Sequence, residues 1–295
     1  MKLMLAPTCP IFDEPNRLYL DRVLAAVGRG WHVIAHPPIN LLSELLPADA
    51  WNTYQEILKQ GVKRATYGTI TASPSCDSCD AEALADALTS PLRIVVEDAG
   101  TDGGWIALVA RVLGYPRLHR MLTKLPHPMV ETRHAGGIGQ IPTDLARATA
   151  VTPAWPEFGR HRVVALCDSD GHRPGERSTQ ASAVRRAADQ LNATAHVWSK
   201  RTIENYLPDD LLREFANSRR DRESAVALVL ELDRTARDCY PIKDGLKLEE
   251  KQDCADIYPA DLETGIGIGD VMSDVLKILP VGIFPQGFER AMRRA

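Results

Sequence analysis

No stretch of this chain of 295 residues approaches the roughly 18 uninterrupted apolar residues that a membrane-spanning helix needs, which argues against a helical membrane protein. The opening MKLMLAPTCPIFDEP meets prolines and acids too soon for a secretory signal of normal length, so export is not expected. Six cysteines (Cys9, Cys76, Cys79, Cys167, Cys239, Cys254) are too scattered for a disulfide framework, and without export they are expected to be reduced thiols. A strong excess of either charge is also missing. The net charge of -4 argues against a protein that coats nucleic acid non-specifically, though a local basic face could hide in that average. No internal repeat or low-complexity tract occurs, nor does any G-x-x-x-x-G-K-[ST] phosphate loop, so the sequence carries no P-loop ATPase of its own. What remains is the expectation of a soluble, cytoplasmic, globular chain with no membrane partner. A hydrophobic content of 44% and a charged content of 25% are ordinary for such a class.

Along the chain, residues 1–90 read as mixed α/β, with helices at 16–27 and 51–60 and strands at 32–35 and 65–70. No catalytic spacing stands out there. The polar run TASPSCDSCD (71–80) reads as a loop and a domain border. From Leu92 strands alternate with helices: strands at 92–97, 129–132, 162–167 and 195–198, with helices at 105–113, 143–150 and 181–191 between them. That alternation predicts a parallel sheet with right-handed crossovers. After Pro208 the pattern is mostly helical, with apolar periodicity at Ala225, Leu228, Val229 and Leu232.

Carboxylates sit at the ends of the apolar runs. Glu97 ends LRIVVE, with Asp98 and Asp102 following among glycines. Asp168 and Asp170 follow VVALC, and Glu204 lies in SKRTIENYL. In an open α/β sheet the ligand crevice lies outside the carboxyl ends of the strands, so acids there are placed to hold a divalent cation. A turn of Asp168-Ser169-Asp170 and a helix N-cap at Asp102 are the simpler readings of each cluster taken alone. The company of both clusters favours the metal. Cys76-x-x-Cys79 is half of a zinc site without a second pair, and Cys167 is most simply a core residue. The stretch 111–134 carries Arg111, Arg117, Arg120, Lys124 and Arg133, with His119, His127 and His134, against the single acid Glu131; it reads as a solvated helix surface or a nucleic-acid face. Gly136, Gly137 and Gly139 form a turn.

Strand-Glu97-x-x-x-x-Asp102, then Gly136-Gly137, then strand-Asp168-x-Asp170, resembles the TOPRIM domain of topoisomerases, primases and OLD (overcoming lysogenization defect) nucleases. The string Ser199-Lys200-Arg201-Thr202-Ile203-Glu204-Asn205-Tyr206-Leu207 is similar to the segment that follows the last TOPRIM strand in the OLD-like nucleases. The likeness covers about residues 91–210. It departs in one place: Asp98 stands where such proteins carry glycine, and Asp102 lies five residues after Glu97 rather than four.

The resemblance implies an α/β fold with a central, mostly parallel TOPRIM-like sheet flanked by helices, an N-terminal α/β segment (1–90) suited to docking a partner, a catalytic domain (91–210) and a mostly helical extension (211–295). It implies a nuclease acting on DNA or RNA with Mg²⁺ or Mn²⁺. Paired ions about 4 Å apart serve phosphodiester hydrolysis by activating water and stabilising the leaving oxygen. Glu97, Asp168 and Asp170 would converge on one ion, with Glu204 and Asp102 or Asp98 helping with a second. Lys200, Arg201 or Lys243 would neutralise charge on the phosphate. Because OLD proteins carry an ATPase, the resemblance implies a separate ATPase partner and a role in bacterial anti-phage defence. A homo-oligomer stays open. Two other readings compete: a haloacid-dehalogenase-like phosphatase with Asp168 as nucleophile, and a non-catalytic TOPRIM binding module.

Overall fold

The structure, a computed structural model, describes residues 2–3, 5, 7–29, 32–34, 37–64, 71–72, 80–123, 130–150, 162–218, 220–246, 253–254 and 256–258. Its chain divides into two compact units, Met1–Leu92 with Ala146–Val163, and Arg93–Leu145 with Val164–Ala295. The described residues of 146–163 thus group with the first 92 residues, and the described residues after 210 group with 93–145 and the strands that follow rather than apart from them.

In the first unit, β1 (Lys2–Leu3) lies between β2 (Val33–Ile34) and β3 (Thr71–Ala72), parallel to both. Thr71 and Ala72, expected in a loop, form a strand; the expected strand at 65–70 and the pair Cys76 and Cys79 lie outside the described residues. The helices here are α1 (Arg17–Gly28), α2 (Ile39–Leu45), α3 (Ala48–Arg64) and α4 (Ala81–Thr89). Helix α1 buries Leu20, Val23, Leu24 and Val27, the i, i+3, i+4, i+7 stripe of an amphipathic helix. Helix α4 starts where the Asp80 side chain accepts from Glu82 N, and it buries Leu84, Ala85 and Leu88 against the same core. His32 is buried beneath α4 with Nε2 2.6 Å from Leu88 O, and burial pulls its pKa down to about 3.

The second unit is an α/β layer built on a four-stranded parallel sheet. Its strands are β4 (Leu92–Val96), β5 (Val130–His134), β6 (Val163–Cys167) and β7 (Thr194–Val197), in the order β5-β4-β6-β7. Ile94, Val95 and Val96 are all buried, as a strand covered on both faces requires, whereas β6 alternates between buried and half-buried. The intervening helices are α5 (Thr101–Val112), α6 (Pro116–Thr123), α7 (Ile141–Thr149) and α8 (Thr179–Leu191). Helix α5 begins a turn earlier than expected, and α6 falls in the stretch 111–134 that reads as a helix surface but for which the sequence sets no helix bounds. Gly103 makes close packing possible: a Cβ there would stand 2.9 Å from Thr132 Oγ1 of β5.

Three further helices, α9 (Asp209–Ser218), α10 (Glu223–Glu231) and α11 (Arg234–Cys239), follow the sheet. They bury Leu212, Phe215, Val226, Val229 and Ala236 in one apolar cluster with Trp105 of α5, Ile203 and Tyr206, which is why this segment does not stand apart. Among the described residues, no helix is long and apolar enough to cross a membrane.

Candidate functional site

The chain adds β5 to one side of β4 and then β6 to the other, so the strand order reverses between β4 and β6. At such a reversal the loops leaving the strands diverge and open a crevice at their carboxyl ends. A cleft of about 270 Å³ lies there, lined by Glu97, Asp98, Thr101 and Asp102 after β4, Asp168 and Asp170 after β6, Arg201–Glu204 after β7, and Pro241, Lys243, Asp244 and Gly245. Each of Glu97, Asp102, Asp168, Asp170, Glu204 and Lys243 therefore reaches one cleft. Seven carboxylates face two cations, Arg201 and Lys243. The sequence did not point to Thr101, Pro241, Asp244 or Gly245 as lining; only their nearness to Asp102 and Lys243 could have suggested them.

Like charges gathered at partly buried positions disfavour ionisation. At Asp168 desolvation first, then the fields of Glu204, Asp102, Asp170 and Glu97, hold the carboxyl well above the usual range. Its Oδ1 is shut from solvent with no hydrogen-bond partner among the described residues. Burial likewise pushes Asp102 up to about 6, against the opposing hydrogen bond from Asp98 N to its Oδ2 (2.9 Å). Glu97 is raised by burial and by Asp170, with Lys243 working the other way. Asp170 is raised by burial while Arg201, His172 and Lys243 pull it down. Glu204 is 6% exposed.

The Asp168-Ser169-Asp170 turn is stitched to the strand-end segment beside it. Ser169 N and Asp170 N both donate to Arg201 O at 3.0 Å, and Ser169 Oγ donates to Lys200 O at 2.9 Å. Arg201 returns the contact, Nη1 donating to Asp170 O (3.1 Å) and lying 3.0 Å from His172 Nδ1. Asp170 has φ +49°, a left-handed conformation that aspartate tolerates better than most residues. Beyond it, His172 N and Arg173 N donate to Glu176 Oε2, both at 2.9 Å, closing a tight loop. A Cβ at Gly171 would stand 2.3 Å from Glu176 O, so this position requires glycine.

Two expectations change. Lys200 does not line the cleft: its ammonium is 2.6 Å from Asp238 Oδ1, donates to Asn205 O at 2.7 Å and lies 4.9 Å from the Tyr206 ring centroid, so it is committed to the scaffold. Asp98 lines the cleft but serves the start of α5, its Oδ1 accepting from Thr101 N at 2.8 Å, so Asp102 is not the N-cap. Cys167 is 3% exposed and its thiol is pushed up to about 12, first by burial and then by Asp168 and Asp170, in keeping with a core residue.

None of Arg111, His119, Arg120 or Arg133 lines the cleft. Arg133 stands 3.8 Å from Asp144, and His134 is 3.9 Å from Asp98. The side chain of Arg117, and residues Lys124 and His127, lie outside the described residues. Of the glycine turn after β5, Gly136 and Gly137 have positive φ, and neither lines the cleft.

An all-oxygen donor set with an orphaned buried carboxylate oxygen fits a hard divalent cation such as Mg²⁺ or Mn²⁺. Glu97, Asp168 and Asp170 are expected to converge within one metal shell, allowing for side-chain movement when no metal is bound. They share one cleft, and among the described residues no three His, Cys, Asp or Glu side chains already stand as a metal shell. Carboxylates repel one another unless a cation lies between them. No protein-family model, curated protein or solved structure matches the chain.

Proposed function

We propose that the chain is a divalent-metal-dependent nuclease of the TOPRIM type, hydrolysing phosphodiester bonds of DNA or RNA. One observation carries the reading: a cleft at the sheet's reversal point that gathers Glu97, Asp102, Asp168, Asp170 and Glu204 with Arg201 and Lys243. Asp168, Asp170 and Glu97 would hold Mg²⁺ or Mn²⁺, with Glu204 and Asp102 beside them. The ion would supply Lewis acidity at a phosphoryl oxygen and a lowered pKa for water. Arg201 and Lys243 would orient the phosphate and offset its charge, because they are the cations of the lining. A haloacid-dehalogenase-like phosphatase would use Asp168 as nucleophile but leave Glu97 and Glu204 idle in the same cleft. The nuclease reading accounts for more of the lining.

The partner belongs to the same proposal. A net charge of -4 and the missing phosphate loop support an effector that works with a separate ATPase, as in anti-phage defence.

The test is incubation of the purified chain, with and without a candidate ATPase partner, on plasmid DNA and tRNA in Mg²⁺ or Mn²⁺. Metal-dependent cleavage is expected with the partner and little without it, and Asp168→Ala is expected to abolish it while the protein stays folded, since a strand-end carboxylate adds little to the core. Equal cleavage by Asp168→Ala and the unsubstituted chain would end the metal-dependent reading. A covalent phosphate trapped on Asp168 would favour the phosphatase.

A further inference from the structure

The turn that presents Glu204 is anchored from outside the cleft. Asn205 is 4% exposed, and both ends of its amide are engaged. Its Oδ1 accepts from Thr202 N (2.9 Å) and Thr202 Oγ1 (2.8 Å), while Nδ2 donates to Arg237 O and Tyr240 O, each at 2.8 Å. Arg237 lies in α11, and Tyr240 begins the segment that continues through Pro241 to Lys243. Asn205 does not line the cleft, whereas Glu204 beside it, and Pro241, Lys243 and Gly245 beyond Tyr240, do. A single buried amide therefore joins the turn that bears Glu204 to the segment that bears Lys243.

The neighbours reinforce this joint without replacing it. Arg201 N donates to Asp238 O (2.9 Å), Lys200 bridges Asp238 and Asn205 O, and Lys200 N donates to the Tyr206 hydroxyl (3.2 Å). None of these bonds links the Glu204 turn directly to Tyr240. The chemistry of the amide is specific. Aspartate would set a carboxylate oxygen against two carbonyls, and an apolar side chain would leave those carbonyls and Thr202 N without their partner, each at a buried cost.

We propose that Asn205 is a positioning residue, which holds the Glu204 carboxylate and the Tyr240–Gly245 segment in register so that both serve a divalent cation and a phosphate group bound in the cleft. It rests on the metal-dependent reading above. Groups that orient a metal-binding carboxylate without touching the metal matter for affinity, and losing one typically weakens binding about 10-fold to 100-fold.

The experiment measures Mn²⁺ affinity by calorimetry on the full chain, with thermal unfolding of each variant in parallel. Asn205→Asp is expected to weaken Mn²⁺ binding about 10-fold or more, and Glu204→Gln to weaken it as well. The double variant is expected to bind no more weakly than Glu204→Gln alone, because a residue that acts through Glu204 has nothing left to position. Thr202→Ala, a milder change that removes one donor to Asn205, is expected to weaken binding by a smaller factor and to show the same non-additivity; it carries the test if Asn205→Asp does not fold. Folded Asn205 and Thr202 variants with unchanged Mn²⁺ affinity, or effects that simply add to that of Glu204→Gln, overturn the proposal and leave the metal reading standing. No Mn²⁺ binding by the unsubstituted chain overturns the metal reading, and this proposal with it.

Discussion

A carboxylate oxygen closed off from water and without a hydrogen bond is costly to ionise, and Asp168 Oδ1 is in that position at the end of β6. With Glu97, Asp102 and Asp170 also raised, the native cleft binds protons more tightly than the unfolded chain does. The sign follows. For acids whose folded pKa lies above the unfolded one, the stabilising contribution is fully present below about pH 4 and is lost as pH rises through the folded values, about 6 for Asp102. Without added metal, thermal stability is therefore expected to fall as pH rises from about 4 through about 6 and above, with Asp102 alone contributing on the order of 2 kcal/mol. Asp168→Asn, which removes the acid whose Oδ1 is shut from solvent, is expected to flatten that slope and to raise the melting temperature at pH 8. Melting curves across that range, with and without Mg²⁺, check it; parallel slopes for Asp168→Asn and the unsubstituted chain would contradict it. At this scale Glu97 and Asp168 are legible in the sequence because each ends an apolar run, with Asp102 and Asp170 close behind, whereas Glu204 is legible only through the string SKRTIENYL. Asn205 was visible only as part of a string, since its partners Arg237 and Tyr240 lie 32 and 35 residues away, where no local spacing points.

Among the elements, the loop after β6 is the most constrained part of the site. Asp170 is left-handed, Gly171 has no room for a Cβ, and Glu176 gathers the backbone N–H groups of His172 and Arg173. Arg173 extends the tether, its guanidinium bidentate to Asp256 at 2.9 Å for each bond. Gly171→Ala is expected to destabilise the protein by about 2 kcal/mol or more, because backbone rather than a flexible side-chain tip stands in the way, and to lower Mn²⁺ affinity together with stability. Thermal unfolding and Mn²⁺ titration of that variant are the measurements, and a native melting temperature would show that the loop yields more easily than its geometry indicates. The strands were readable from their β-branched runs. Helix α5 was read as starting at Trp105 because Gly103 and Gly104 have poor helix propensity, yet the bond from Thr101 N to Asp98 Oδ1 secures its first turn. Helix α6 escaped because its eight residues, PRLHRMLT, mix basic and apolar side chains too briefly for a periodic signal.

For the molecule as a whole, the parallel sheet and its reversal point could be anticipated from alternating strands and helices, but the grouping of the chain could not. Sequence reading set a border after residue 90 and another after 210, whereas the contacts assign 146–163 to the N-terminal unit and keep α9, α10 and α11 with the sheet. Burial of Leu212, Phe215, Val226 and Val229 with Trp105 and Tyr206 joins residues a hundred positions apart, which composition along the chain does not reveal. One consequence concerns how the protein could be taken apart. The polypeptide passes between the two units at 92/93, 145/146 and 163/164, so severing any single passage leaves two others intact. A protease nick near residue 92 is therefore expected to yield fragments that still elute together under native conditions and separate only in denaturant. Likewise, transplanting the unit that bears the cleft into another protein would need three junctions rather than one, so its N-terminal companion is interleaved with it along the chain rather than appended.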